Sequence, residues 1–230
     1  MAQLDHNELG EPANGFRFKF LEPPEYDEVL KLLEKYLYPS LSHVGYDPQF
    51  PDDWNQLFLR MMKRGKNLSY IAVDTETGEV AAVRMVDLVE KGVVSDLNGL
   101  SLFKDKKNMD IFELCGDICK GWDIFETFNI AEYADMFGLT VDEKYRRRGL
   151  ATEMYRRGLN YLQRRGIKIV KCSFISPFTR RAGHKHGYKE HQRRYFHDCK
   201  NKEGEILNPS SDPTDFIDFG YFDLRNREIQ

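Results

Sequence analysis

The stretch VDEKYRRRGLAT, residues 141–152, decides how the rest of the chain is interpreted. A strand-like pattern of apolar and aromatic residues precedes it, and a long helical pattern, which Gly166 ends, follows it. Three arginines, Arg146, Arg147 and Arg148, therefore stand at the start of a helix. Because that end of a helix carries partial positive charge and disfavours cations, the arginines indicate that an anion binds there.

A helix start of this kind can hold a phosphate group. Unpaired backbone N–H groups point outward there, and the helix dipole favours negative charge. Gly149 lets an anion approach the backbone closely, and the small Ala151 keeps the next turn clear. The stretch lacks the GK[ST] and GxGxxG signatures, which argues against a P-loop nucleoside triphosphatase and a Rossmann dehydrogenase. The alternative interpretation is a solvated basic helix face that continues through Arg156, Arg157, Arg164 and Arg165.

Length and composition predict one folded domain. The chain has 230 residues, of which 41% are hydrophobic and 31% are charged, and this suffices for one sizeable core. Residues 1–14 are polar and acidic, so we expect them to form a disordered leader. Residues 15–230 are then a single domain.

The charge balance and the distribution of apolar residues indicate the cellular compartment and exclude some classes of binding partner. A formal net charge of −3 argues against a nucleic-acid binder. The sequence contains no window of about 18 uninterrupted apolar residues, so it predicts no membrane span. The N-terminus lacks the basic-then-apolar order of a secretory signal, and the four cysteines contain no CxxC pair and read as reduced thiols. We therefore expect a cytoplasmic protein with no membrane or nucleic-acid partner.

No metal site is expected from the sequence. Cys115 and Cys119 are four residues apart on a predicted helix, but no matching His or Cys pair accompanies them. The histidines towards the C-terminus stand among basic residues, which would repel a cation. We expect these histidines to lie on the surface: His184, His186, His191 and His197.

Strand and helix patterns alternate along the chain. A strand pattern at residues 16–20 precedes a helix that Pro23 opens. A loop rich in proline, glycine and serine, residues 39–51, separates this helix from a second one. A hairpin with the turn DTETG follows. The order of elements predicts a mixed α/β protein built around a central sheet.

The motif and its context resemble the GNAT superfamily of acetyl-CoA-dependent N-acetyltransferases. The pattern (Q/R)-x-x-G-x-(G/A) of this family's motif A is met by Arg146, Gly149 and Ala151. Further along, FTRRAGHKHGY resembles the helix of motif B, which ends in a glycine–aromatic pair, here Gly187 and Tyr188. The resemblance is specific over residues 135–188. Within the superfamily the chain is most similar to the insect and nematode arylalkylamine (dopamine-type) N-acetyltransferases.

This resemblance implies a fold, a reaction and a binding site for acetyl-CoA. The fold is α/β (α+β), with a mostly antiparallel mixed sheet that contains two splayed parallel strands and is flanked by helices. The reaction transfers an acetyl group from acetyl-CoA to a primary amine of a small arylalkylamine by direct attack in a ternary complex, in a monomer or weak dimer. The pyrophosphate is expected on Arg146, Arg147, Arg148, Gly149, Leu150, Ala151 and Thr152. The pantetheine arm is expected along Leu139, Thr140 and Val141, with Arg180 facing the phosphates.

Direct attack requires a base, because a free alkylamine has a pKa of about 10, like lysine. The glutamate that usually serves in the arylalkylamine group is absent, since residues 38–41 read YPSL where that group has E-P-L. His43 in the same loop and Glu132 on the strand before motif A are the candidates, with Asp135 a weaker one and a water chain a further alternative.

The general acid is also unusual. Many family members carry a tyrosine where this chain has Gly183. Thr179, and behind it Ser176, occupy positions where the arylalkylamine group has hydroxyl residues near the leaving thiolate. Ordinary helix capping explains a serine or threonine there equally well.

The acceptor is open to three interpretations. Aromatic residues around the first loop favour a small aryl amine: Tyr36, Tyr38, Tyr46, Phe50 and Trp54. A protein or peptide N-acetyltransferase would instead need an open groove, which Asp47, Asp52 and Asp53 could line. A catalytically weak acetyl-CoA-binding protein would explain the missing glutamate and tyrosine. Turnover with a panel of amines and peptides separates the three.

Overall fold

The computed structural model describes residues 6–46, 48–64, 68–93, 102–118 and 121–229. Its α-helices are α1 (Tyr26–Tyr36), α2 (Pro51–Lys63), α3 (Lys106–Ile118), α4 (Ile124–Phe128), α5 (Leu150–Arg164) and α6 (Pro177–Lys185). Its strands are β1 (Phe16–Phe20), β2 (Tyr70–Asp74), β3 (Val80–Glu90), β4 (Glu132–Val141), β5 (Ile169–Phe174), β6 (Lys189–Tyr195) and β7 (Phe216–Asp223). Short 3-10 helices lie at His6–Leu9, Pro23–Glu25, Tyr38–Val44, Glu143–Tyr145 and Phe196–Asp198.

The strands form one sheet in the order β1-β2-β3-β4-β5-β7-β6. Neighbouring strands are antiparallel except β4 and β5, which are parallel and pair only from Ala134 with Val170 to Met136 with Cys172. Beyond that point β4 continues along β3, whereas β5 continues along β7. The two strands therefore diverge into a V that opens at their carboxyl ends. The predicted fold class, a mostly antiparallel mixed sheet with splayed parallel strands, is confirmed.

Helices cover both faces of the sheet. The long helix α5 is buried along one side because its apolar residues recur at helical spacing, and it packs with α6 on one face. The helices α1, α2 and α3 and the 3-10 helix Tyr38–Val44 pack on the other face. The two clusters pack on opposite faces of the sheet, so helices lie on both sides of the V.

The loop predicted over residues 39–51 is more regular than its composition indicates. Its first part, residues 39–44, belongs to the 3-10 helix Tyr38–Val44, and Pro51 is already the first residue of α2. Gly45 ends the 3-10 helix with a φ of 93°, which a residue with a side chain rarely adopts. The predicted hairpin is confirmed as β2 and β3.

The N-terminal segment differs from the predicted disordered leader. Residues 6–9 form a 3-10 helix, and Leu9 is only 2% exposed. The guanidinium of Arg157 on α5 donates a hydrogen bond from Nη1 to the Leu9 carbonyl at 2.6 Å. Arg157 itself is 5% exposed, so the alternative interpretation, a solvated arginine face on α5, does not hold at this position. Residues 1–5 lie outside the described ranges.

Candidate active site

A β-bulge marks the strand β4 at the mouth of the V. Arg84 of β3 pairs with Leu139, but Val86 pairs with Met136, so two residues of β4 lie opposite one residue of β3. The extra residue is accommodated at Phe137 and Gly138. A Cβ at Gly138 would lie 2.9 Å from a methyl group of Leu37, which shows how closely the end of α1 approaches this strand.

The connection from β4 to α5 forms a concave array of backbone N–H groups. The Asp142 side chain accepts a hydrogen bond from Lys144 N and starts the 3-10 helix Glu143–Tyr145. Arg147 and Gly149 then adopt φ values of 64° and 75°, and this left-handed backbone turns the chain into α5. Within the described residues, the N–H groups of residues 147–152 donate to no protein acceptor. Successive free N–H groups of this kind attract anions.

The three arginines of the motif have different environments. Arg146 donates from Nε to the Val141 carbonyl at 3.1 Å and lies over the ring of Tyr36. Arg148 donates to the Asn14 carbonyl at 3.2 Å and lies over the ring of Phe16. Arg147 is exposed, and its side chain makes no hydrogen bond, ion pair or ring contact with the described residues. Arg146 and Arg148 thus hold the loop in place, whereas Arg147 is free to meet an anion.

The remaining residues expected to bind acetyl-CoA surround the same loop. Leu150 is buried, so it contributes its backbone N–H and its packing. The Thr140 hydroxyl is buried and has no hydrogen-bond partner among the described residues. Thr152 accepts at its carbonyl from Nε2 of His186, 3.1 Å away, which ties α6 to the first turn of α5. His186 is only 8% exposed, so the expectation that it lies on the surface is wrong.

The space around Gly149 suits an anion. No heavy atom lies within 4 Å of the position that a Cβ would take at this residue. The free N–H groups and the open space together fit an anionic group such as a phosphate.

His43 forms a pair with an aspartate that the sequence did not point to. Its Nδ1 lies 2.9 Å from Oδ2 of Asp215, and its ring stacks on Phe196. Its carbonyl accepts a hydrogen bond from Asn208, so the backbone is held as well. Nε2 has no hydrogen-bond partner among the described residues. A histidine oriented through Nδ1 with a free Nε2 has the arrangement of a general base.

The 3-10 helix Tyr38–Val44 places His43 at the V. It begins next to Leu37, which contacts the bulge of β4 at Gly138. It ends with His43 beside Asp215, which directly precedes β7. Because Asp218 of β7 pairs with Phe174 at the end of β5, the 3-10 helix crosses the mouth of the V from β4 towards β5.

Glu132, the alternative base, lies at the other end of the strand. It is the first residue of β4 and pairs with Glu90 of β3. Seven residues separate it from Leu139, a distance of about 23 Å along a strand. The structure therefore does not bring Glu132 together with the V. Asp135 is paired with Lys171 at 2.8 Å.

The hydroxyl candidates for the general acid both make helix-cap contacts. Ser176 accepts a hydrogen bond from Phe178 N at the start of α6, and Thr179 donates to the Ser176 carbonyl. Both lie at the carboxyl end of β5, so the structure brings them to the V. Gly183 cannot be enlarged, because a Cβ there would lie 2.4 Å from the ring of Phe174.

Arg180 is engaged inside the protein and does not face the expected phosphate site. Its Nε lies 2.8 Å from Oδ2 of Asp218 as an ion pair whose alignment falls short of a hydrogen bond. Its guanidinium lies over the ring of Phe216. Asp218 is fully buried and also accepts a hydrogen bond from Tyr188, the aromatic residue of motif B. Burial raises the pKa of Asp218, although both of these partners lower it in part.

The acceptor side of the V is partly filled by core residues. Tyr38, Tyr46 and Trp54 are buried in the cluster around α1 and α2. Phe50 and Phe137 remain exposed, the latter at the bulge of β4. Three of the five aromatic residues singled out in the sequence thus build the core.

Of the acidic residues considered for a peptide groove, one of the two that the structure describes lies in the core. Asp53 is buried and accepts hydrogen bonds from the backbone N–H groups of Lys104 and Asp105, so it is structural. Asp52 is exposed at the start of α2, and Asp47 lies outside the described residues.

No group of side chains suited to a metal ion occurs in the described ranges. Cys172 and Cys199 are free thiols, whereas the side chains of Cys115 and Cys119 lie outside the described part of the chain. None of the helices that the structure describes is long and apolar enough to cross a bilayer.

Comparisons with solved structures show where the fold recurs. Arylalkylamine N-acetyltransferase 2 from Aedes aegypti is similar with a TM-score of 0.78 at 19% identity, over 92% of this chain and 100% of that chain. A polyamine N-acetyltransferase from Drosophila melanogaster that forms N-acetylagmatine is similar with a TM-score of 0.73 at 13% identity, over 90% and 99%. The NatC complex bound to Gag peptide and CoA is more distant, with a TM-score of 0.53 at 11% identity, over 90% and 98%. At these identities the likeness is one of fold.

The sequence comparisons match a smaller part of the chain than the structural ones. No curated protein matches the sequence. Residues 115–188 match the model of the acetyltransferase (GNAT) family, and this range contains the bulged strand β4, the N–H array, α5, β5 and α6. Residues 115–188 are therefore similar to the acetyltransferase (GNAT) family, and the fold of the chain is the one seen in the solved N-acetyltransferases above.

Proposed function

We propose that this protein transfers the acetyl group of acetyl-CoA to the primary amine of a small molecule, in a ternary complex and without a covalent enzyme intermediate. The observation that carries the proposal is the run of free backbone N–H groups at residues 147–152, next to the V between β4 and β5. The solved structures with this fold include enzymes that act on arylalkylamines and on polyamines. An arylalkylamine or a polyamine is therefore the acceptor class to test first.

The pyrophosphate of acetyl-CoA would lie on the N–H groups of residues 147–152, with Arg147 as the mobile counter-charge. The pantetheine arm would follow the edge of β4 at Leu139, Thr140 and Val141, which β5 no longer covers. The thioester would then reach the bulge at Phe137 and Gly138.

His43 would act as the general base in this reaction. The amine nitrogen attacks the acetyl carbon, a C–N bond forms, the C–S bond breaks, and the amine proton goes to Nε2 of His43. Asp215 holds the Nδ1–H tautomer and stabilises the imidazolium. Holding the two substrates in line contributes to the rate because it removes the entropic cost of their encounter. Glu132 is too far from the V for this role.

We place the enzyme in the cytoplasm as a monomer or weak dimer. The free thiols Cys172 and Cys199 support a reducing compartment. The peptide alternative is disfavoured by the structural role of Asp53.

Calorimetric titration of acetyl-CoA into the wild type and into Ala151→Pro with Arg147→Ala tests the cradle. Proline at this first-turn position removes one free N–H without removing a helical hydrogen bond. We expect the affinity to fall about tenfold or more, equivalent to about 1.4 kcal/mol. The melting temperature should change little.

Two variants are matched controls for this titration. Ala151→Gly keeps the N–H, and Arg165→Ala removes a cation from the opposite end of α5. Both should bind acetyl-CoA as the wild type does. Absence of binding to the wild type would contradict the proposal. Binding without turnover of arylalkylamines, polyamines or peptides would instead identify an acetyl-CoA-binding protein.

A further inference from the structure

Arg84 is a buried cation at the centre of the sheet. It lies on β3 opposite Leu139, and its side chain is 2% exposed on the face covered by α5. Nη2 lies 3.3 Å from the sulfur of Met136 and 3.2 Å from the sulfur of Cys172. The guanidinium stands 4.5 Å from the centre of the Tyr155 ring.

The charge of Arg84 has no protein counter-charge. A guanidinium stays protonated in proteins, and burying a charge is costly unless it is paired. Among the described residues no carboxylate forms an ion pair with Arg84, and its buried Nε has no hydrogen-bond partner. Sulfur atoms are weak acceptors. Burial raises the pKa of Cys172, although the guanidinium lowers it in part, so the neighbouring thiol is neutral at physiological pH.

Neighbouring cations are paired, in contrast to Arg84. Lys171 on β5 forms an ion pair with Asp135, and Arg180 on α6 forms one with Asp218. No protein group in the described ranges therefore neutralises the charge of Arg84. In its low-dielectric environment this charge interacts strongly with another charge that comes near it.

The position of the guanidinium relative to the V is set by its two sulfur contacts. Met136 and Cys172 are the last residues of β4 and β5 that pair in parallel. The guanidinium therefore lies at the base of the V, and it does so on the α5 face, the same face as the N–H array at the start of α5. A ligand that runs from that array along β4 into the V approaches this base.

We propose that Arg84 stabilises the negative charge on the sulfur of coenzyme A when the acetyl group leaves. The inference rests on the proposed acetyl transfer. As the C–N bond forms and the C–S bond breaks, the electron pair of the C–S bond stays on sulfur as a thiolate, and the amine proton goes to His43. A preorganised cation at the base of the V stabilises that developing charge. The thiolate later takes a proton from solvent, so transfer needs no tyrosine at the position of Gly183.

The test compares coenzyme A with desulfo-coenzyme A, which lacks the sulfur, by calorimetry on the wild type and on Arg84→Met. The wild type should bind coenzyme A about tenfold more tightly than desulfo-coenzyme A. This ratio of affinities should rise between about pH 7 and about pH 9, because the thiol of coenzyme A ionises with a pKa of about 8.5. In Arg84→Met the ratio should fall to about one, while desulfo-coenzyme A binds as before.

Two further variants and one measurement exclude a purely structural role. Arg84→Met should melt at or above the wild-type temperature, because a well-packed apolar side chain replaces an unpaired buried charge. Arg84→Lys, which keeps a charge, should retain part of the preference for coenzyme A. Cys172→Ser should retain all of it, because the neutral thiol is not a counter-charge to Arg84.

Each other outcome overturns the proposal. Equal loss of both ligands in Arg84→Met would show that Arg84 only shapes the V. A wild-type ratio near one, or a ratio independent of pH, would overturn it without any variant, even if Arg84→Met fails to fold. A wild type that binds neither ligand would overturn the proposed acetyl transfer, and the role of Arg84 with it.

Discussion

Replacing His43 with glutamine should lower kcat about 100-fold or more, the usual contribution of a positioned general base. Glutamine keeps a polar side chain of similar length but cannot take the proton of the attacking amine at neutral pH. The KM for acetyl-CoA should change little, because the N–H array lies on the other side of the sheet from His43. Steady-state rates with the amine and acetyl-CoA varied in turn measure kcat and the KM for acetyl-CoA in the wild type and in the variant.

Three substitutions give this experiment its controls. Asp215→Asn should lower kcat less than His43→Gln, because it removes the residue that orients the imidazole and leaves the base in place. Glu132→Gln should have no effect, since Glu132 lies about 23 Å from Leu139 along the strand. His184→Gln changes an exposed histidine on α6 and should also be silent. Unchanged kcat in His43→Gln would show that water or another group takes the proton.

Gly158→Ala should destabilise the protein by about 2 kcal/mol, although alanine is the better helix former by about 1 kcal/mol. A Cβ at this position on α5 would lie 2.1 Å from the hydroxyl of Tyr70 and 2.7 Å from its ring. Tyr70 has no room to move, because its side chain is buried and its hydroxyl donates to the Met154 carbonyl at 2.6 Å. Thermal unfolding should show a melting temperature lower by roughly 4–8 °C.

A double-mutant cycle with Tyr70→Phe identifies the cause. Removing the hydroxyl takes away the atom that would overlap most, so Gly158→Ala should cost less in that background. An equal cost in both backgrounds would mean that the overlap is absorbed elsewhere in α5. A stabilising Gly158→Ala would show that helix propensity outweighs the packing of α5 on β2.

Much of the fold was predictable because local patterns determine it. The strand before residue 141 and the helix after Gly149 follow from apolar periodicity and from the glycine between them, and both were confirmed. The hairpin of β2 and β3 was equally clear from its turn. The N-terminal 3-10 helix was not predictable, because its one deeply buried residue, Leu9, is held by Arg157, far away in sequence.

The candidate site also has a part that was predictable from the sequence and a part that was not. The proposed anion cradle was predictable from the sequence because its N–H groups, its glycine and its arginines are contiguous. Sequence did not distinguish among the three arginines, however, whereas the structure shows Arg146 and Arg148 bound to backbone carbonyls and Arg147 free. Arg180 looked like a phosphate ligand by charge alone, but Asp218, on a strand far along the chain, holds it.

The sequence by itself determined the fold class, the family resemblance and the glycine-containing turn into α5, since each depends on residues that are neighbours in the chain. The tertiary structure decided which side chains lie near one another around the V. It separated His43 from Glu132, supplied Asp215 as the partner of His43, and placed Arg84 without a counter-charge beneath the splayed strands. These relations join residues up to about 170 positions apart. Which of them meet depends on strand order and register, and no local pattern encodes either.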